Sequence, residues 1–155
     1  MTTTTATVVR AAEAERLELP DGSALLLLAD PAVTGCDLSV HHTVLRDGAD
    51  GAGPHHHETS AEVFYVIAGH VELLVDGQVV VAGEGDLVAV PPRTVHAFGA
   101  VAGRDAELLV LTPTVERFDL FREALGHADP DGDPDRFDTH SDHSPTWIDA
   151  RRTTP

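Results

Sequence analysis

The chain has 155 residues and a formal net charge of −16, set by 26 acidic side chains against ten arginines and no lysine. That balance argues against nucleic acid or anionic lipid as partner, since both need basic patches. The length predicts one domain; no apolar run reaches the roughly 18 residues of a membrane span, and residues 1–5 lack the basic start and apolar core of a signal peptide, which makes the cytoplasm the expected compartment.

Short apolar runs alternating with turn residues predict an all-β sandwich or barrel. Strands are expected near 7–10, 16–19, 24–29 and 37–46. Within 37–46, Leu38, Val40 and Val44 share a face with His42, so His42 is expected to point inward, toward a substrate or a ligand. Cys36, the single cysteine, excludes an intramolecular disulfide and reads as a small buried residue. Further strands are expected at 62–68, 70–75, 78–81, 86–90, 96–101 and 106–112. Asp76-Gly77 between two of them is a two-residue hairpin signal. After Pro113 the period changes. Apolar residues at helical spacing from Val115 to Leu125, closed by Gly126, predict one helix. The expected organisation is therefore a β-barrel over 1–113, a helix over 114–126 and an irregular polar tail over 127–155, in which Trp147 and Ile148 are candidate anchors.

The chemistry lies in two segments. In the first, His55 and His57 stand two apart, so on an extended strand both rings point to one side and His56 points away. Glu62 opens the next strand, with Phe64 and Val66 on its face. In the second, Pro91-Pro92 precedes His96. Three imidazoles and one carboxylate suit a divalent transition metal: Fe, Mn, Ni, Co, Cu or Zn. A bare H-x-H is common by chance; with Glu62, Gly69 and the downstream Gly85, Pro91 and His96, the combination is specific.

These residues resemble the two motifs of the cupin superfamily. His55, His57, Glu62 and Gly69 fit the first, although Ala49 stands where its opening glycine belongs. Gly85, Pro91 and His96 fit the second, with Arg93 in place of a glycine and Ala100 in place of an asparagine. The resemblance spans roughly Asp37 to Pro113. It implies a single-domain jelly-roll barrel (double-stranded β-helix) with one metal held by His55, His57, Glu62 and His96. It further implies Glu62 as catalytic base and a homodimer formed through an apolar sheet face. The chain also looks similar to small bacterial quercetin dioxygenase-like members, and the lysine-free composition fits a high-GC bacterial coding sequence.

Three functions follow as expectations. The first is a metal-dependent dioxygenase acting on a small aromatic or enolic molecule, with Phe64, Val66, Phe98 and His42 as substrate contacts and Val88 and Leu109 as further apolar walls. The second is an aromatic polyketide cyclase using the same metal as Lewis acid. The third is a non-catalytic cupin that binds a metal or small molecule.

Overall fold

Inward and outward side chains alternate along most strands, and two antiparallel sheets bury their apolar faces against each other. The computed structural model describes residues 5–113, 117–125 and 138–152. One sheet has the order β1 (Glu15–Glu18), β2 (Ala24–Ala29), β3 (Ser39–Leu45), β10 (Ala106–Thr112), β5 (Glu62–Ala68), β8 (Leu87–Val90). The other has the order β11 (Thr139–Ser141), β4 (Asp50–His57), β9 (His96–Ala100), β6 (His70–Val75), β7 (Gln78–Gly83). The protein is thus the all-β jelly roll expected. Its main core joins Leu45, Phe64, Val66, Leu73, Leu108 and Val110 from both sheets. Asp76 and Gly77, at φ 50° and 75°, make the β6–β7 hairpin, and positive φ at both positions is what a two-residue turn of this hand requires.

Several elements differ from expectation. Residues 7–10 are exposed and form no strand, since among the described residues no strand pairs with them. A short helix α1 (Pro31–Thr34) follows Asp30, whose carboxylate accepts from the Ala32 and Val33 amides. Cys36 lies exposed beyond it rather than buried. Helix α2 (Arg117–Ala124) falls inside the predicted helix and packs Phe118 onto Leu17 and Leu27; Val115 and Gly126 lie outside the described residues.

The tail is the largest correction. Residues 127–137 lie outside the described residues, but 138–152 are not irregular. They form β11, which adds to the edge of β4, and helix α3 (Pro145–Arg152). Trp147, as expected, is the anchor, buried against Leu74 and Ala97. Arg151 is 13% exposed and donates to Asp50, Glu72 and the carbonyls of Ala100 and Gly48, with its guanidinium 5.4 Å from the Trp147 ring centre. One buried aromatic and one fully engaged, half-buried charge hold the segment down where local propensity alone would not.

Both faces of the six-stranded sheet carry apolar side chains. On the outer one, Tyr65, Ile67 and Leu87 are exposed, Tyr65 pairing directly with Leu87 across β5 and β8. Among the described residues no helix is long and apolar enough to cross a membrane.

Candidate metal centre and its cavity

Strand pairing assembles the centre. His55 on β4 pairs directly with His96 on β9, and their ring centres lie 4.2 Å apart. His57 projects from the same face of β4, and Glu62 opens β5 across the barrel interior. Four ligand atoms, one each from His55, His57, Glu62 and His96, lie within 4.8 Å of one another. The Nε2 atoms of His96, His57 and His55 stand 2.8, 3.1 and 3.8 Å from a single oxygen, Glu62 Oε2. His57, Glu62 and His96 are almost fully buried.

The far side of each ring tests whether this set fits a metal. His55 Nδ1–H donates to Gly53 O and His96 Nδ1–H to Thr94 O, both at 2.8 Å. His57 Nδ1 lies 3.3 Å from Asp138 O and 3.1 Å from Thr139 Oγ1. A carbonyl only accepts, so these contacts place the proton on Nδ1 and, in a neutral ring, leave Nε2 as a lone pair. Three lone pairs facing a carboxylate oxygen repel one another unless a cation gathers them. This is the arrangement in which outer partners orient imidazole ligands, and the residues fit a divalent ion.

A cavity of about 350 Å³ opens from the centre. Its lining includes Glu62, His55 and Thr139 of the centre and, farther along the sheet in strand register, Leu25, Thr43 and Leu45. Phe98 floors it, and Leu120, Phe121 and Leu125 cover it from α2 and the residue that follows. Among the described residues that line it there is no arginine. Gly51 sits where a Cβ would come within 2.0 Å of the Phe98 ring, so only glycine lets β4 pass over that side chain.

The structure sorts the expected substrate contacts. Phe98 is on the cavity wall. Phe64 and Val66 point into the barrel but lie in the packed core, where Phe64 supports the Phe98 ring at 5.1 Å and the His96 ring at 6.1 Å. Val88 packs against that core. His42 is a correction. It faces the outer side of the sheet and bonds Glu107 at 2.9 Å, and Leu109, its direct partner on β10, faces outward with it. Ser39, His41, Thr43 and Leu45 are the inward set of β3, so His41 lines the cavity instead. Apolar neighbours misassigned the face because the outer side of this sheet is itself apolar. His56 turns away from the centre as expected, bonding Asp142 and stacking on His140.

Two further contributors carried no motif. Asp138 accepts from the Thr59 and Ser60 amides and the Thr59 hydroxyl at 2.9–3.1 Å, tying down the loop between His57 and Glu62. Burial opposes its charge, but the hydrogen bonds from Thr59 and Ser60 outweigh that and hold its carboxyl below the ordinary value. Thr139, next in the chain, touches His57 itself.

A family model described as a cupin domain matches residues 41–112, which takes in all four converging residues. The chain belongs to the cupin superfamily. This cupin is 32% identical over 132 residues to quercetin 2,3-dioxygenase of Bacillus subtilis (strain 168), a match covering 73% of this chain and 38% of that protein. The chain therefore spans well under half the length of that relative. Among solved structures it is similar to KdgF from Halomonas sp., with TM-score 0.64 and 23% identity over 74% of this chain and 99% of that one. It is also similar to the polyketide cyclase RemF from Streptomyces resistomycificus, with TM-score 0.60 and 18% identity over 69% of this chain and 78% of that one. At these identities the two structures speak for the fold. Asp138 and Thr139 lie outside residues 41–112, the segment that the family model matches.

Proposed function

We propose that this cupin is a metal-dependent dioxygenase acting on a small, uncharged aromatic or enolic molecule. The carrying observation is the set of three Nε2 atoms turned on Glu62 Oε2 at the mouth of an apolar cavity. Identity to a quercetin 2,3-dioxygenase supports the choice of substrate class. His55, His57, His96 and Glu62 would hold one divalent ion per chain. Such an ion supplies Lewis acidity, favouring the ionised form of a bound enol or phenol. Glu62 Oε1 or Oε2 accepts the proton from the substrate hydroxyl, acting as base from a fixed, buried position. Phe98 and the α2 side chains exclude water and take up the flat apolar body.

The test is metal content together with oxygen uptake in the presence of quercetin. One metal per chain with flavonol-dependent oxygen consumption supports the reading. Metal without oxygen uptake, but with turnover of a polyketone, turns the assignment to a cyclase in which Glu62 removes a proton and no oxidant is needed. A protein that binds metal and turns over neither is a binding cupin. For assembly, a second copy covering Tyr65, Ile67 and Leu87 is the arrangement we propose, checked by light scattering on the wild type and on Leu87→Glu.

A further inference from the structure

Thr43 is 2% exposed, lies on the cavity wall, and its hydroxyl oxygen has no hydrogen-bond partner among the described residues. A buried hydroxyl is costly to leave unpaired; the Thr43 side chain lines the cavity, and a χ1 turn that exchanges its methyl and hydroxyl presents the unpaired oxygen to a ligand there. Its position is remote from the metal ligands. Thr43 pairs with Leu108, which pairs with Val66 four residues along β5 from Glu62. At about 3.3 Å per residue that is roughly 13 Å along the strands, with two strand spacings of about 4.8 Å across them. The walls between the two ends are apolar apart from His41, whose ring is braced by Phe121. Ser23, also at the far end, is already engaged, accepting from the Arg46 amide at 3.0 Å.

We infer that Thr43 is the polar contact of a distal subsite, which selects ligands of two or more linked or fused rings carrying a hydroxyl at the end away from the metal-binding group. The inference rests on the proposed placement of an enolic or phenolic group at Glu62. A one-ring phenol fills half the cavity and leaves Thr43 unpaired. A flavonol, with a third ring linked to a fused pair, extends from one end toward the other, and a hydroxyl on its outer ring exchanges a hydrogen bond with Thr43 Oγ1.

The experiment compares kaempferol with galangin, two flavonols that differ only by the outer-ring hydroxyl. Binding is measured by fluorescence quenching on wild type and on Thr43→Val, which removes the hydroxyl and keeps the shape. Wild type should favour kaempferol by about five- to tenfold, the size of one good hydrogen bond in a desolvated site. Thr43→Val should bind galangin as well as wild type does and lose the preference to within about twofold. Equal binding of the two flavonols by wild type, a preference that survives in Thr43→Val, or no binding of either overturns the subsite. Oxygen uptake is recorded on the same samples. Hydroxyl-dependent binding without oxygen consumption keeps the subsite and removes the dioxygenase reading, whereas oxygen consumption with no Thr43 effect does the reverse.

Discussion

His41 and Phe121 meet edge to face, their ring centres 4.7 Å apart and their planes at 71°. The contact ties the inward face of β3 to helix α2 and leaves the His41 imidazole on the cavity wall. His41→Leu keeps most of the volume and removes the polar atoms. Loss of one hydrogen bond to a bound ligand should lower kcat/KM by about three- to tenfold, with metal stoichiometry unchanged by elemental analysis. An unaltered kcat/KM takes His41 out of substrate contact.

Glu62 and the histidines separate by variant. His57→Ala and His96→Ala each remove a buried ring aimed at Glu62 Oε2 and should abolish stoichiometric metal binding. Glu62→Gln keeps an oxygen donor of the same shape but cannot take up a proton, so metal should remain while turnover disappears. Wild-type turnover in Glu62→Gln excludes Glu62 as the base.

Thr139 is tested through His57. Thr139→Val removes the hydroxyl 3.1 Å from His57 Nδ1 and leaves Asp138 O as that nitrogen's remaining partner. Loss of an outer contact to an imidazole ligand should weaken Co²⁺ binding by about tenfold, with Thr139→Ser restoring it. The Asp142 amide, which donates to Pro54 O, should stay protected from hydrogen exchange if β11 remains docked. Equal Co²⁺ affinity in Thr139→Val would mean that Asp138 O orients the ring alone.

The metal set was legible because period two puts His55 and His57 on one face and because Glu62 and His96 open strands at recognisable turns. The inward face of β3 was not legible in the same way. Alternation divides a strand into two sets but does not say which set faces the interior, and Val40, Val44 and Leu109 make the outer side apolar too. Apolar patterning pointed at His42, whereas the cavity needed the polar set with His41 and Thr43. Strand β11 left no local signal: Thr139, His140 and Ser141 are polar, and their conformation is imposed by the open edge of β4 and by Trp147 farther along. Long-range pairing of that kind has no period to read.

Asp138 gives the fold a pH signature. Its carboxyl lies below the ordinary value in the folded protein, so it contributes stability at pH above the unfolded value of about 3.9 and loses that contribution as pH falls through the folded value. Asp138→Asn should therefore lower the urea midpoint at pH 7, and the gap from wild type should close as pH drops below about 4. A gap that is constant from pH 7 to pH 3 would show that the charge on Asp138 does not support the loop.

Arg93 takes the place of a motif glycine, and its backbone keeps the left-handed conformation that glycine would supply, at φ 62°. The turn is preserved because the Arg93 amide donates to His57 O at 2.7 Å, which locks the approach to His96 onto the strand carrying two other ligands. The side chain is 75% exposed and reaches Glu58 at 3.2 Å, a surface pair worth at most about 1 kcal/mol. Backbone conformation therefore decides substitutions here. Arg93→Gly should fold with a urea midpoint at or above that of wild type. Arg93→Val, whose branched Cβ is hindered at positive φ, should cost about 2 kcal/mol and weaken metal binding by shifting His96. If valine were tolerated with both properties unchanged, the turn would not be what sets the His96 ligand.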